Sequence, residues 1–283
     1  MKKFVVFFSG LLFIILNLSG CVTKPPEEPK TPKDDTISTK STDEEELTSY
    51  EVETLIIQNR VALVIGNGNY QTRSLKNIPV NDAHAMKSVL NGLGFTVTSV
   101  IDASKPKMEN AIDEFIDKLD SGTLGLFYYS GHGVQHAGEN FLIPIEAMSK
   151  ISEPKDLQHA VSANKVSEKM NSKSQLSLII LDACRDTPFS FAKGKNSGFA
   201  PMLNAEGMLI AYATSPGTVA LTGSGSNSPY TKHLLLFIEY KLPIEQVLSK
   251  VRAAVRQETN EKQIPWYEAS MEGQIIIGDK PPQ

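Results

Sequence analysis

The sequence has few cysteines, no excess of positive charge and no visible internal repeat. Only Cys21 and Cys184 are cysteines among 283 residues, and processing at Cys21 would leave Cys184 as the one free thiol, which excludes an intramolecular disulfide. The formal net charge is -4, and it becomes -6 when the two lysines of the N-terminal leader are removed. That mild acidity gives no electrostatic reason to expect nucleic-acid binding.

The first 20 residues have the pattern of a secretory leader that ends at a cysteine. Lys2 and Lys3 precede the apolar run FVVFFSGLLFIILNL, which is short for a membrane span, and small residues lead to Cys21. A leader that ends in this way resembles the signal peptide of bacterial lipoproteins. The resemblance implies that Cys21 is lipidated and becomes the mature N-terminus. The alternatives are an ordinary signal peptide and an uncleaved anchor.

Residues 21–57 differ in composition from the chain that follows them. They are rich in proline, charge, serine and threonine and contain almost nothing to bury, so we predict a disordered tether. A tether of about 30 residues reaches roughly 30 Å as a flexible coil, and further because proline and charge stiffen it. The predicted organisation is a leader at 1–20, a tether at 21–57 and one sizeable domain at 58–279.

Apolar residues in the domain predict strands that alternate with helices. The continuous runs RVALVIG, TLGLFYYS, LSLIILDA and GMLIAYAT are typical of strands buried on both faces, and amphipathic segments separate them. In the first of these segments, NDAHAMKSVLNGLG, Asn81 is the predicted N-cap. The segment GQIIIG, residues 273–278, is the predicted last strand. The alternation predicts an α/β fold with a mostly parallel sheet and helices on both faces.

Two of the predicted strands end in reactive side chains. FYYSGHGVQ places His132 between two glycines, and LDACRD places Cys184 at the tip of its strand. Because parallel strands end at the same edge of a sheet, the two residues are expected to lie close together if their strands are neighbours. A thiol needs a base to become a nucleophile at neutral pH, and His132 is the candidate base. The Gly133 amide is the candidate oxyanion donor. The alternatives are a buried cysteine and a structural histidine.

The motif YYSGHG, followed about 50 residues later by DACRD, resembles the caspase-like cysteine peptidases and in particular their bacterial, metacaspase-like branch. The resemblance covers nearly all of residues 60–277 and includes ALVIGNGNY, NDA, YATSPG and QIPW. It implies His132 as general base, Cys184 as nucleophile, and the backbone amides of Gly133 and Cys184 as the oxyanion hole. It also implies a three-layer sandwich whose six-stranded sheet is mostly parallel, with an antiparallel last strand.

Two aspartates beside the cysteine depart from the signature of animal caspases. That signature has glutamine two residues before the cysteine and glycine two residues after it, where this chain has Asp182 and Asp186. Animal caspases cut after aspartate, whereas metacaspases, which this chain resembles here, cut after arginine or lysine. The resemblance therefore implies a pocket of Asp82, Ser130 and Asp182 that takes a cationic side chain through charge-assisted hydrogen bonds. The alternatives are helix capping for Asp82 and loop ordering for Asp182.

The long loop after the cysteine, residues 187–207, corresponds to the region that caspases use for self-processing. Lys193 and Lys195 in this loop are candidate autocleavage sites for a peptidase that prefers basic residues. Mass spectrometry would show fragments of the wild type that are absent from a Cys184→Ala variant. Identical fragments from the two proteins, or no fragments at all, would contradict the prediction.

No metal or other cofactor is predicted. His136 follows His132 by four residues, but Gly133 disfavours a continuous helix between them and no third ligand is evident. The GNGNY segment lacks the lysine and serine of a phosphate-binding loop and is interpreted as a turn. Calcium activation is known in parts of the metacaspase family, and the sequence leaves it open because it shows no dedicated oxygen-ligand loop.

The whole sequence predicts a membrane-tethered cysteine endopeptidase that cleaves proteins or peptides after arginine or lysine. Its lipid anchor predicts a place in the bacterial cell envelope. By analogy with the sorting of bacterial lipoproteins, Val22 rather than aspartate after the lipidated cysteine favours the outer membrane, facing the periplasm or the cell surface. One rival is a non-catalytic caspase-fold module that binds envelope partners, since a fold does not guarantee an activity. The other rival is a cysteine hydrolase or transpeptidase of different specificity that uses the same dyad.

Overall fold

A twisted sheet with helices on both faces forms the centre of the protein. The computed structural model describes residues 57, 59–184, 189, 199–202, 206–215, 220–221, 223 and 225–282, with only the backbone of Cys184. All of them belong to one compact unit, Glu51–Gln283. The strands are β1 (Asn59–Gly66), β2 (Thr96–Ile101), β3 (Thr123–His136), β4 (Glu139–Leu142), β5 (Val161–Ser162), β6 (Leu176–Cys184), β7 (Met208–Tyr212) and β8 (Trp266–Ala269).

Among the residues that the structure describes, five α-helices connect these strands or cover them. They are α1 (Ile78–Gly92), α2 (Lys105–Ile116), α3 (Ala163–Asn171), α4 (Pro229–Phe237) and α5 (Ile244–Glu258), and a short 3-10 helix spans Pro154–His159. Within the described residues, no helix is both long enough and apolar enough to cross a membrane.

The six main strands follow the order β2-β1-β3-β6-β7-β8. All neighbours along this path pair in parallel except β7 and β8, which are antiparallel. A small extension leaves the sheet where β3 pairs with β4 and β4 pairs with β5, both antiparallel. The predicted fold class, a mostly parallel six-stranded sheet in a three-layer α/β sandwich, is confirmed.

Alternation along each strand divides the core between the two faces of the sheet. In β1, Val61, Leu63 and Ile65 pack with α2 and α3, whereas Ala62 and Val64 pack with α1, α4 and α5. This follows from the strand period of two, which directs successive side chains to opposite faces. Because both faces are covered, the strands are continuous apolar runs rather than alternating ones.

The first helix begins earlier than the sequence pattern predicted. The N-cap position of α1 is Asn77, not Asn81, and Asn81 lies inside the helix, where its Nδ2 donates to the Ser226 carbonyl at 2.9 Å. The predicted N-cap was wrong because Pro79 lies in the first turn, a position where its missing N–H costs nothing.

The last strand of the sheet was also predicted at the wrong place. The edge beside β7 is occupied by β8, Trp266–Ala269, and not by residues 273–278. In that segment Ile275 and Ile277 are buried against α4 and α5, and Ile276 forms only an isolated bridge with Pro243. The apolar run therefore supplies core side chains without joining the sheet, which periodicity alone does not distinguish.

Candidate active site

The register of β3 and β6 places the two predicted catalytic residues side by side. Ser130 pairs with Asp182, and two residues further along His132 pairs with Cys184 at the end of this parallel ladder. Backbones of neighbouring strands lie about 4.8 Å apart, so His132 and Cys184 occupy neighbouring positions at this edge of the sheet. The structure thus brings the predicted base and nucleophile to adjacent positions, although the side chain of Cys184 lies outside the described atoms.

β3 continues further than predicted. The strand was expected to end near Ser130, but it runs to His136 because residues 133–136 pair with β4. His132 therefore lies where β3 leaves the parallel sheet and enters an antiparallel hairpin, and not at a free tip.

The ring of His132 is oriented by a backbone carbonyl. Its Nε2 lies 2.8 Å from the carbonyl oxygen of Arg73, and the whole residue is only 4% exposed. A carbonyl oxygen only accepts hydrogen bonds, so Nε2 must carry the proton. In this tautomer the lone pair of the neutral imidazole is on Nδ1. Nδ1 is therefore the basic nitrogen, which can accept a proton from a thiol.

Two tyrosine hydroxyls that lie 3.3 Å apart, those of Tyr70 and Tyr129, hold the backbone of His132. The Tyr70 hydroxyl accepts from the His132 amide at 2.9 Å, and the Tyr129 hydroxyl donates to the His132 carbonyl at 2.7 Å. The Tyr70 ring also lies against the imidazole, with centroids 4.6 Å apart. These positioning contacts were not predicted, because tyrosines in a buried strand and a turn have no local pattern that indicates them.

Gly133, the predicted oxyanion donor, follows His132 and is closely surrounded by the side chains of Phe199 and Ala183. A Cβ atom at this position would overlap the Phe199 ring and lie 3.2 Å from the Ala183 Cβ. Glycine is therefore needed so that the segment 199–202 can pack against the strand.

The three predicted pocket residues meet on the same side of the sheet. Asp82 lies in α1, Ser130 in β3 and Asp182 in β6, and the Ser130 hydroxyl donates to Asp82 Oδ2 at 3.0 Å. Their exposed fractions are 0%, 2% and 4%, so all three are buried. Asp82 is the fifth residue of α1 and caps neither end of that helix. Its contact with a helix terminus is to α4, where it accepts from the Ser228 amide, so the structural alternative for it holds in part.

The N-terminus of α4 completes this cluster and was missed by the sequence reasoning. The amide of Ser228 donates to Asp82 Oδ1 at 3.1 Å, and its hydroxyl donates to Asp182 Oδ2. Asn227 Nδ2 donates to Asp82 at 2.9 Å and the Thr231 hydroxyl to Asp182 at 2.6 Å. Asp182 therefore also orders the start of α4, so the structural alternative for it holds in part. The Ser-Pro pair at 228–229 signals a helix start but not which carboxylates it contacts.

Burial shapes the electrostatics of the two carboxylates. Burial, and next the negative charge of Asp182, raise the pKa of Asp82 to about 7, although its hydrogen bonds act in the opposite direction. Burial likewise raises the pKa of Asp182. Within the described residues neither aspartate forms an ion pair with a lysine or arginine. The cluster is therefore an acidic site in which a cation would favour ionisation of both groups.

The raised pKa of Asp82 predicts a stability that falls as the pH rises. The folded protein holds this proton more tightly than the unfolded chain, where the pKa is near the ordinary 3.8. The resulting contribution to the free energy of unfolding is present below about pH 4 and lost as the pH rises through about 7. We therefore expect Asp82→Asn to raise Tm at pH 8 by about 2–6 °C over the wild type, with a much smaller difference at pH 4.

Thermal melts at the two pH values check this prediction. Asn is isosteric, and its amide retains one oxygen for the Asn227 and Ser228 donors. The matched control is Asp113→Asn on the exposed face of α2, for which we expect little change in Tm at either pH. An Asp82→Asn protein that melts below the wild type at pH 8 would contradict the linkage.

Several predicted residues lie outside the described part of the chain. They are Cys21, with the leader and tether, and the autocleavage candidates Lys193 and Lys195.

Comparison with known proteins shows which family the chain is similar to. The family model described as "Caspase domain" matches residues 59–275. Human mucosa-associated lymphoid tissue lymphoma translocation protein 1 is 31% identical over 170 residues, and its mouse homolog is 30% identical over the same length. The matched region covers 58% of this chain and 19% of each relative, so the chain matches about a fifth of the length of these curated relatives.

Proposed function

Because this chain belongs to the caspase family of cysteine peptidases, we propose that it is an endopeptidase that cleaves peptide bonds after arginine or lysine. The observation that carries the proposal is the buried acidic cluster of Asp82, Ser130 and Asp182, which lies on the same two strands as His132 and Cys184. The pair Ser130–Asp182 precedes the pair His132–Cys184 by two residues, which is about 7 Å along a strand. That separation suits a specificity pocket beside a reacting carbonyl.

The proposed reaction uses the dyad in two steps. His132 takes the proton of the Cys184 thiol, and the thiolate attacks the substrate carbonyl while the amides of Gly133 and Cys184 donate to the developing oxyanion. His132 then gives the proton to the departing amine, which leaves an acyl group on Cys184. Water, deprotonated by His132, hydrolyses this thioester. The Arg73 carbonyl supports both steps because it stabilises the proton on Nε2 of the imidazolium.

The acidic cluster supports selection of a cationic side chain. A guanidinium or ammonium group would meet two carboxylates in a buried site, where charge-assisted hydrogen bonds are strong. Asp182 accepts from the Ser228 and Thr231 hydroxyls on Oδ2, so neither of these hydroxyls occupies Oδ1. This oxygen is the natural contact for the substrate. An aspartate side chain would instead bring a third negative charge to the pair.

A thiol-reactive probe tests the proposal against its rivals. A peptidyl electrophile with arginine next to the reactive carbon is expected to label the wild type and not Cys184→Ala, and His132→Ala is expected to label slowly. The same probe with aspartate at that position is expected to label poorly. Equal labelling by both probes would favour a hydrolase or transpeptidase of different specificity. No labelling by either probe would favour a non-catalytic binding module.

For the N-terminal region we propose a lipid anchor on Cys21, with the tether holding the peptidase domain away from a membrane of the cell envelope. The support is the leader pattern and the composition of residues 21–57. Radiolabelled palmitate is expected to be incorporated into the wild type and not into Cys21→Ser. Equal incorporation would contradict the anchor, and fractionation of the envelope would locate the membrane, which we propose to be the outer one.

A further inference from the structure

The loop between β1 and α1, residues 67–77, holds His132 but has little regular structure of its own. It supplies the Arg73 carbonyl that contacts Nε2 and the Tyr70 hydroxyl that contacts the His132 amide. Arg73 and Lys76 have positive φ values of 57° and 58°, a conformation that costs free energy in residues with a side chain. The loop therefore needs contacts from elsewhere to keep the conformation that orients the histidine.

Asp102, directly after β2, supplies those contacts. Its Oδ1 accepts from the backbone amides of Gly68 and Asn69 at 2.9 and 3.0 Å, and its Oδ2 accepts from Asn69 Nδ2 at 2.7 Å. Hydrogen bonds from backbone amides to a carboxylate are charge-assisted and stronger than those to a neutral acceptor. Asp102 itself is tied to the end of β1, because its amide donates to the Gly66 carbonyl at 2.9 Å.

The two halves of the loop are joined through Gly68. The Gly68 carbonyl accepts from the Leu75 amide at 2.9 Å and from the Ser74 hydroxyl at 3.2 Å. A Cβ at Gly68 would overlap the Lys76 carbonyl, so the two halves are in close contact. Asp102 therefore fixes Gly68, and Gly68 fixes the residues next to Arg73.

We propose that Asp102 is a positioning residue for His132, which it orients through the loop 67–77 without contacting the reacting atoms. This inference rests on the proposed function of His132 as the base. Asp102 keeps the Arg73 carbonyl at the distance that holds the proton on Nε2, and it keeps Tyr70 against the backbone and ring of the histidine. Without it, the loop loses its three hydrogen bonds to the end of β2, and the imidazole loses its fixed orientation toward Cys184.

The rate at which iodoacetamide alkylates Cys184 in the full chain, at two pH values, tests the proposal. At about pH 6 a free thiol is almost entirely protonated, so fast alkylation requires a thiolate stabilised by a well-placed imidazolium. At about pH 9.5 the thiolate forms without help. We expect Asp102→Ala to lower the rate at pH 6 by about tenfold and to leave the rate at pH 9.5 unchanged.

Two further variants separate positioning from simple destabilisation. Asp102→Asn keeps one oxygen for the two backbone amides but places an amide opposite Asn69, so we expect a smaller loss. The double variant Asn69→Asp with Asp102→Asn exchanges the two partners, and it is expected to restore the pH 6 rate to near the wild-type value.

Asp120→Ala is the matched control. Asp120 also holds a turn with one carboxylate oxygen, which accepts from the Gly122 amide at 3.0 Å and from the Thr123 hydroxyl at 2.6 Å, but this turn lies at the opposite end of β3. We expect its pH 6 rate to equal that of the wild type. Thermal melts of every variant confirm that the protein measured is folded.

The outcomes distinguish this inference from the proposed function. If Asp102→Ala reacts like the wild type at pH 6 while His132→Ala reacts slowly, the positioning role is wrong and the dyad stands. Equal losses in the Asp102 and Asp120 variants, or no recovery in the double variant, also overturn the positioning role. If His132→Ala reacts like the wild type at pH 6, both the dyad and the inference fail.

Discussion

His132→Ala is expected to lower kcat on an arginine peptide by about 10³-fold, while KM stays within a factor of a few. The reason is that His132 forms no part of the acidic cluster that would bind the substrate side chain, so its loss removes proton transfer and not substrate binding. The variant retains Cys184 and the backbone donors, so a slow residual reaction is expected to rise with pH as the thiol ionises unaided.

Steady-state kinetics over a range of pH values measure this effect. His84→Ala, an exposed histidine on α1, is the matched control and is expected to keep the wild-type kcat. A His132→Ala enzyme with wild-type kcat near neutral pH would show that another group acts as the base. A large rise in KM with unchanged kcat would instead give His132 a role in substrate binding.

Asp182→Asn is expected to lower kcat/KM for arginine peptides by about 100-fold. Truncating one partner of a buried charge pair costs about 2–5 kcal/mol, and this substitution removes one of the two charges that would face the cation of the proposed substrate. The asparagine oxygen can still accept from Ser228 and Thr231, so the start of α4 keeps its hydrogen bonds. The loss is thus expected to come from charge and not from misfolding.

A peptide that carries citrulline in place of arginine separates these two causes. Citrulline has nearly the shape of arginine but no charge, so we expect the wild type and Asp182→Asn to cleave it at similar, low rates. Asp113→Asn on the protein surface is the control and is expected to keep full activity. If Asp182→Asn lowers kcat/KM by the same factor for the citrulline peptide and the arginine peptide, Asp182 acts by ordering α4 and not by binding a cation.

The acidic cluster affects the stability of the folded protein as well as the proposed specificity for basic substrates. Ionising two carboxylates that are buried without a cationic partner among the described residues is unfavourable, and burial accordingly raises the pKa of both Asp82 and Asp182. In the proposed complex, a guanidinium or ammonium group would neutralise these carboxylates and make the same arrangement favourable. Asparagine at either position is therefore expected to trade activity toward basic substrates for stability at high pH, a trade-off common at binding sites.

Much of the fold could be predicted because apolar runs report burial directly. Strands covered on both faces have no polar side to interrupt them, so β1, β3, β6 and β7 stand out in the sequence. The errors in the last strand arose because a buried residue does not have to belong to a strand of the sheet. Ile275 and Ile277 are core residues outside the sheet. Conversely, β8 was missed because it alternates between half-buried and exposed residues and so contains no apolar run.

The site was predictable where its residues follow one another along strands, and not where distant segments meet. The neighbouring positions of His132 and Cys184 could be predicted because parallel strands end at one edge, and β3 and β6 do pair there. Ser130 and Asp182 were predicted as pocket residues from the family resemblance. By contrast, Ser228 approaches Asp82 across 146 residues, and His132 meets the Arg73 carbonyl across 59 residues. A backbone carbonyl has no residue identity to recognise, so only the three-dimensional structure reveals that partner.

Cleavage of three matched peptides most directly tests the claim that this is a cysteine peptidase for basic sites. The peptides differ only in the residue before the scissile bond, which is arginine, lysine or aspartate, and mass spectrometry identifies the products of the wild type and of Cys184→Ala. We predict cleavage after arginine and lysine by the wild type, none after aspartate, and none by Cys184→Ala. Faster cleavage after aspartate, or equal cleavage by the two proteins, would contradict the account.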